Sequence, residues 1–263
     1  MNETEKWDRA AGNYQEVFLL GPNEYNASLL FFWKDNGMLF PGARVLDIGC
    51  GVGKYGVYLA EMGYDVTLTD ISGEMLRRAR ENMARFRTHW TVYPCDFHRA
   101  TGKEPVFAEG FDLSISTMSP AVCDEATVRK MSGMTRGWCF LARFFDWKQP
   151  FRDRLMRDMG LEPVPSFHDL REEGSSLIRA VCNAGYVPHV KFTDYRWSGR
   201  RTSEQMAEYM VKNCFADADD PAAVYESARR AAAGRAGDDG TVCDEIITNV
   251  IWIWWNTKMD PLP

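Results

Sequence analysis

The stretch Val45-Leu46-Asp47-Ile48-Gly49-Cys50-Gly51-Val52-Gly53 constrains this chain more than any other. A short apolar run bounded by glycines predicts a buried strand over Arg44–Ile48. The three alternating glycines let the backbone turn sharply and let a ligand approach it closely. From about Lys54 to Met62 the pattern becomes helical. An acid inside a buried strand is costly unless something pairs with it. Asp47 therefore calls for a partner: a ligand ammonium, reached directly or through water, or a ring of backbone amides in the turn.

The same strand-then-helix alternation continues downstream. Strands are predicted at Asp65–Thr69, Trp90–Tyr93, Phe111–Ser116 and Trp138–Phe145, and helices at Glu74–Phe86, capped by Ser72, and from Asp124 or Glu125. Such alternation predicts a doubly wound, mostly parallel α/β sheet with helices on both faces. Two helices precede it, Glu5–Phe18 and Asn26–Asp35. Beyond it, helices are predicted at Phe151–Met159, Ser175–Ala184 and Ser203–Asn213, with a proline-bearing loop at Glu162–Ser166. Ala216–Gly240 reads as one surface helix between loops. Strands Val187–Trp197 and Thr248–Trp255 would close the sheet with an antiparallel edge.

The 263 residues suit one α/β domain: a helical lead-in over 1–40, a core over 41–147 and a cover with closing strands over 148–263. A net charge of -6 argues against a nucleic-acid partner, because phosphate binding wants a positive surface. Seven cysteines without a CxxC imply neither a zinc site nor a disulfide framework, and they fit a reducing cytoplasm. No apolar run approaches the ~20 residues that span a bilayer.

Carboxylates recur at successive strand tips. Asp70 closes the second strand, where an acid can accept both hydroxyls of a ribose. Asp96, after the third, could accept from an adenine amine, and Phe97 could cover the base. This constellation resembles the class I S-adenosylmethionine-dependent methyltransferases over roughly Trp7 to Phe145. Trp7-Asp8-Arg9-Ala10-Ala11 with Tyr14 is similar to the lead-in helix, and Asp47-Ile48-Gly49-Cys50-Gly51-Val52-Gly53 to the glycine motif. Asp70-Ile71-Ser72 with Met75 is similar to the ribose motif, Cys95-Asp96-Phe97 to the adenine motif, and Phe111-Asp112-Leu113 to the start of the strand ending beside the methyl group. The resemblance implies a Rossmann-like seven-stranded sheet with the last strand antiparallel. It also implies an S-adenosylmethionine cofactor held by Tyr14, Asp47, Gly49, Cys50, Gly51, Gly53, Asp70, Ile71, Met75, Cys95, Asp96, Phe97, Thr117, Met118 and Ser119.

Gly51-Val52-Gly53-Lys54-Tyr55-Gly56 also satisfies the GxGxxG of dinucleotide oxidoreductases. That alternative leaves Asp47 and Gly49 unexplained and Asp96 idle. A non-catalytic S-adenosylmethionine-binding module is the other alternative, with the same fold signals.

The fourth strand runs into Thr117-Met118-Ser119-Pro120, which should border the reacting methyl, because ligands bind beyond the carboxyl ends of such strands. Ser119-Pro120-Ala121-Val122 lacks the aromatic that adenine-directed family members carry there, which puts a nucleobase acceptor in doubt. A small-molecule acceptor is expected instead. The candidate bases are His98 and Asp146. No metal is expected from the acids after the fourth and fifth strands, since Asp124 and Glu125 suit a helix start. Phe31, Phe32, Trp33, Phe144, Phe145, Trp147 and Trp197 could line an acceptor pocket. The acceptor and the oligomeric state are not legible.

Overall fold

Arg44–Ile48 forms strand β1, and from Val45 onward every residue of it is buried. The structure is a computed structural model and describes residues 2–13, 24–163 and 170–258. On one side β1 pairs in parallel with β2 (Asp65–Asp70), on the other with β4 (Phe111–Thr117). β2 pairs in parallel with β3 (Trp90–Pro94), and β4 with β5 (Thr135–Lys148). With β6 (His189–Thr202) and β7 (Thr241–Asn256) the seven-stranded order is β3-β2-β1-β4-β5-β7-β6, β7 running antiparallel. This is the doubly wound architecture the sequence predicts. The strand order reverses between β1 and β4, the place where such sheets open a crevice at their carboxyl ends.

The cofactor-side elements match prediction closely: α3 is Lys54–Glu61 and α4 is Gly73–Met83, with Ser72 accepting from the Met75 amide at 3.1 Å. The N-terminal helix α1 is shorter than predicted, Glu3–Ala10, and passes into a 3₁₀ turn at Ala11–Asn13; Tyr14 and Phe18 lie outside the described residues. Asn2 and Glu5 close α1 with a reciprocal capping box. The helix α2 is Glu24–Asp35, and α5 is Glu125–Gly133 with Asp124 as its cap. Strands β5, β6 and β7 extend beyond their predicted ends: most residues added to β5 and β6 are polar or exposed, and in β7 the added Val242, Ile246 and Ile247 are interrupted by Cys243, Asp244 and Glu245, which breaks the apolar run. Their pairing comes from the backbone.

The chain divides into two compact units. The first, Met1–Arg143 with Glu172–Lys191 and Ile251–Pro263, packs Trp33 edge-on against Tyr55 and Phe140, with Trp252 beside Phe32 and Phe140. It includes all of helix α7 (Leu170–Asn183) from Glu172 onward. The second, Phe144–Arg171 with Phe192–Val250, has its own core of Leu155, Met156, Met206, Met210 and Val242. That core is built on α6 (Pro150–Asp158), α8 (Ser203–Cys214) and α9 (Pro221–Ala233). Among the described residues no helix is long and apolar enough to cross a membrane. All seven cysteines are free thiols.

Candidate active site

The glycine turn after β1 is held by its neighbour strand. The amides of Gly49 and Cys50 both donate to the Thr69 carbonyl, at 2.8 and 2.9 Å. They are therefore spent, and the ring of turn amides that could have paired Asp47 is not used. Asp47 is 1% exposed, and its Oδ2 has no partner among the described residues. Burial, then the nearby Asp70 charge, pushes its carboxyl up from the usual range to about 7, against the pull of Lys54. A buried acid in this condition is ready for a cation or a bridging water.

Asp70, at the tip of β2, accepts from the Gly51 amide on Oδ2 and from the Ser72 amide on Oδ1, both at 2.9 Å. Burial still raises its carboxyl above the usual range, the amides from Ser72, Gly51 and Ile71 pulling the other way. Each oxygen keeps a lone pair for a further donor. Gly51 has φ +55°, so the backbone conformation that offers this amide suits glycine. Gly49 is needed for space: a Cβ there would lie 1.8 Å from Ser119 Oγ.

These tips open onto a cavity of about 500 Å³, within the range of small-molecule sites. The structure brings together on its wall Gly49, Cys50 and Gly51 from the first turn, and Asp70, Ile71 and Met75 from the second. Cys95, Asp96 and Phe97 come from the third, and Thr117, Met118 and Ser119 from the fourth. Asp47 and Gly53 lie behind this wall; Gly53, in the left-handed region, is the N-cap of α3. Asp96 is partly tied up, accepting from the His98 amide at 3.1 Å and facing Arg99 at 3.7 Å. Phe97 is buried, with the Lys130 ammonium over its ring.

Sequence reasoning missed four groups here. Lys54 lines the cavity, and burial lowers its ammonium while Asp47 holds it up. Its signal was available: it is the first residue of α3, where a cation opposes the helix dipole and needs an anion nearby. Asp8 on α1 accepts from Ser72 Oγ at 2.5 Å and from the Glu74 amide at 3.1 Å, fastening the lead-in helix to α4. Tyr55 lines the cavity and donates to Asn26 Oδ1 at 3.0 Å. Arg143 is buried and donates to the carbonyls of Ser116, Ala142 and Val122, each at 2.8 Å, clamping the loop after β4. In that loop Met118 has φ +51°, a strained value for a side chain of its size, and its amide donates to Ala142. Nothing in a linear sequence announces Arg143, which joins the carbonyl of its neighbour Ala142 to those of Ser116 and Val122, more than twenty residues away.

The candidate bases part company. His98 is exposed and lines the cavity, while Lys130 donates to its carbonyl at 3.0 Å. Asp146 lies in the second unit, facing Arg171 and Lys148 at 3.3 Å each. Its carboxyl is held below the usual range by Lys148, the Trp147 amide and Arg171 against the cost of burial. The aromatic set does not line this cavity. Phe32 and Trp33 pack the first core, Phe31 is exposed, and Phe144, Trp147 and Trp197 stack on one another in the second unit.

Residues 45–136 match the family model described as a methyltransferase domain. A malonyl-[acyl-carrier protein] O-methyltransferase from Salmonella typhimurium is 32% identical over 44% of this chain and 41% of its own length. A ribosomal RNA small subunit methyltransferase C from Alcanivorax borkumensis is 32% identical over 30% of this chain and 24% of its own length. The chain thus spans less than half the length of these curated relatives. Among solved structures, a Haemonchus contortus phosphoethanolamine N-methyltransferase 2 in complex with S-adenosyl-L-methionine superposes with a TM-score of 0.53 at 16% identity. That match covers 99% of this chain and 59% of the other, and it speaks to the fold alone.

Proposed function

We propose that the chain is a class I S-adenosylmethionine-dependent methyltransferase, which binds this cofactor and passes its methyl group to a small-molecule acceptor; the methyltransferase-domain match over residues 45–136 supports the reading. The observation that carries the reading is Asp70, a carboxylate on the cavity wall held in place by the Gly51 and Ser72 amides, with Asp47, whose Oδ2 has no partner among the described residues, behind it. These residues fit the group. Asp70 would hold the ribose hydroxyls, and Asp96 with Phe97 the adenine. Asp47 suits the ammonium of the amino-acid tail and Lys54 its carboxylate. A dinucleotide would leave Asp47 uncompensated.

When bound, S-adenosylmethionine supplies a methyl group on a positively charged sulfur. The chain's contribution is alignment and exclusion of water. The loop Thr117–Ser119, clamped by Arg143, forms the wall where an acceptor would be held. Holding reacting atoms about 3–3.5 Å apart can supply several kcal/mol. His98, on the cavity wall, would take a proton from a hydroxyl acceptor; a thiol or amine needs no dedicated base. We assign residues 148–263 to acceptor choice. We read the acceptor as small because the net charge is -6 and the β4 loop lacks a base-stacking aromatic. The free thiols support a reducing cytoplasm.

Calorimetry with S-adenosylmethionine, with a nicotinamide dinucleotide as control, tests the cofactor. Tight binding of the first is expected, and Asp70→Ala should weaken it by about 10- to 100-fold through lost charged hydrogen bonds. Binding of the nicotinamide alone would overturn the reading. Release of S-adenosylhomocysteine across a panel of small hydroxyl, amine, thiol and carboxyl acceptors, with an RNA oligomer included, tests the transfer. Turnover on the RNA alone would overturn the acceptor class.

A further inference from the structure

Three side chains at the rim of the cavity converge without any role in holding a cofactor. The ligand atoms of His98, Cys123 and Asp124 all lie within 4.8 Å of one another, and the imidazole and thiol both line the cavity. They come from two separate places: His98 follows β3, while Cys123 and Asp124 lead into α5. Their chemistry is a mixed nitrogen, sulfur and oxygen set, the set zinc takes and magnesium does not.

Each ligand is also oriented. Asp124 caps α5 through one oxygen, Oδ1, which accepts from the Thr127 amide at 2.8 Å and the Thr127 hydroxyl at 2.6 Å. Oδ2 takes no part in that cap. Lys130 donates to the Phe97 and His98 carbonyls at 2.6 and 3.0 Å, which fixes the backbone carrying the imidazole. Zinc bonds of about 2.0–2.3 Å place tetrahedral ligands roughly 3.3–3.7 Å apart. Exposed side chains reach that spacing from the observed one by rotation.

We propose that His98, Cys123 and Asp124 form a three-ligand site for Zn²⁺ on the wall of the cavity, with a fourth position left for water or an acceptor atom. Binding replaces the thiol proton of Cys123 by the metal and releases that proton to solvent. The site uses none of the carboxylates assigned to the cofactor, so it stands or falls apart from the methyl-transfer reading. It does compete with the role of His98 as a base, since a ligated nitrogen cannot also accept a proton.

The test is titration of the metal-free, full-length protein with Co²⁺. One equivalent should bind with a thiolate-to-cobalt charge-transfer absorption that Zn²⁺ then displaces. Cys123→Ala should abolish that band, Cys182 and Cys243 being left in place. Asp124→Asn keeps a good helix cap, and circular dichroism should show its helices intact. It should nonetheless weaken Zn²⁺ at least tenfold, the lower end of what losing even an outer partner costs. A native protein without the band, a band that survives Cys123→Ala, or unchanged Zn²⁺ affinity in Asp124→Asn would each overturn the proposal.

Discussion

Asp47 is the residue whose charge state decides most. Its folded carboxyl keeps its proton to about 7, whereas an unfolded one releases it near 3.8. Between those values the fold binds the extra proton. The stabilisation is complete below the lower value and is lost as pH rises through the upper one. Asp47→Asn removes that dependence, and its thermal midpoint should be flatter across this window than that of the native chain. A bound ammonium would draw the Asp47 carboxyl back toward its ordinary value, so cofactor binding near pH 7 should release a proton. Calorimetry in buffers of different ionisation enthalpy should detect that release in the native protein and lose it in the variant. At this scale the sequence was informative wherever a residue broke a local rule. An acid in an apolar strand stood out, and so should have Lys54 at the positive end of a helix. Arg143 broke no local rule and stayed invisible.

The element that shapes the acceptor side is the β4–α5 loop, and its geometry depends on Arg143. Three carbonyls converge on one buried guanidinium, whose charge burial lowers to about 10 without neutralising it. Arg143→Met should take this donor from the Ser116 and Val122 carbonyls, Ala142 keeping the Met118 amide, and cost about 2–4 kcal/mol, read as a lower denaturant midpoint. The strained Met118 should relax with it, so cofactor affinity should fall less than turnover. If both fall equally, the clamp holds the whole fold and not the loop in particular. The neighbouring cofactor turns were readable because each is specified locally. Glycines mark the first turn, Ser72 caps the second, and Asp124 starts α5 as the sequence predicts. The long β5–β7 strands were underestimated, since polar residues interrupt their apolar runs: Arg136 in β5, and Cys243, Asp244 and Glu245 between Val242 and Ile246 in β7.

For the molecule as a whole, every residue lining the cavity belongs to the first of the two compact units. Cofactor binding should therefore raise hydrogen-exchange protection of the Gly49–Val52 and Ser72–Met75 amides and leave those of Met206–Met210 and Ala228–Ala232 unchanged. Equal protection in both units would show that they respond as one body. The succession of strands and helices along the chain and the acids at the strand tips were determined by the sequence, because each is written in a few consecutive residues obeying a fixed period. Tertiary structure alone decided which turn amides Asp70 receives and that Asp47 Oδ2 has no partner among the described residues. It also decided that one arginine holds the acceptor loop and that His98 meets Cys123 and Asp124. Those relations join residues far apart in the chain, and only packing sets the distance between them.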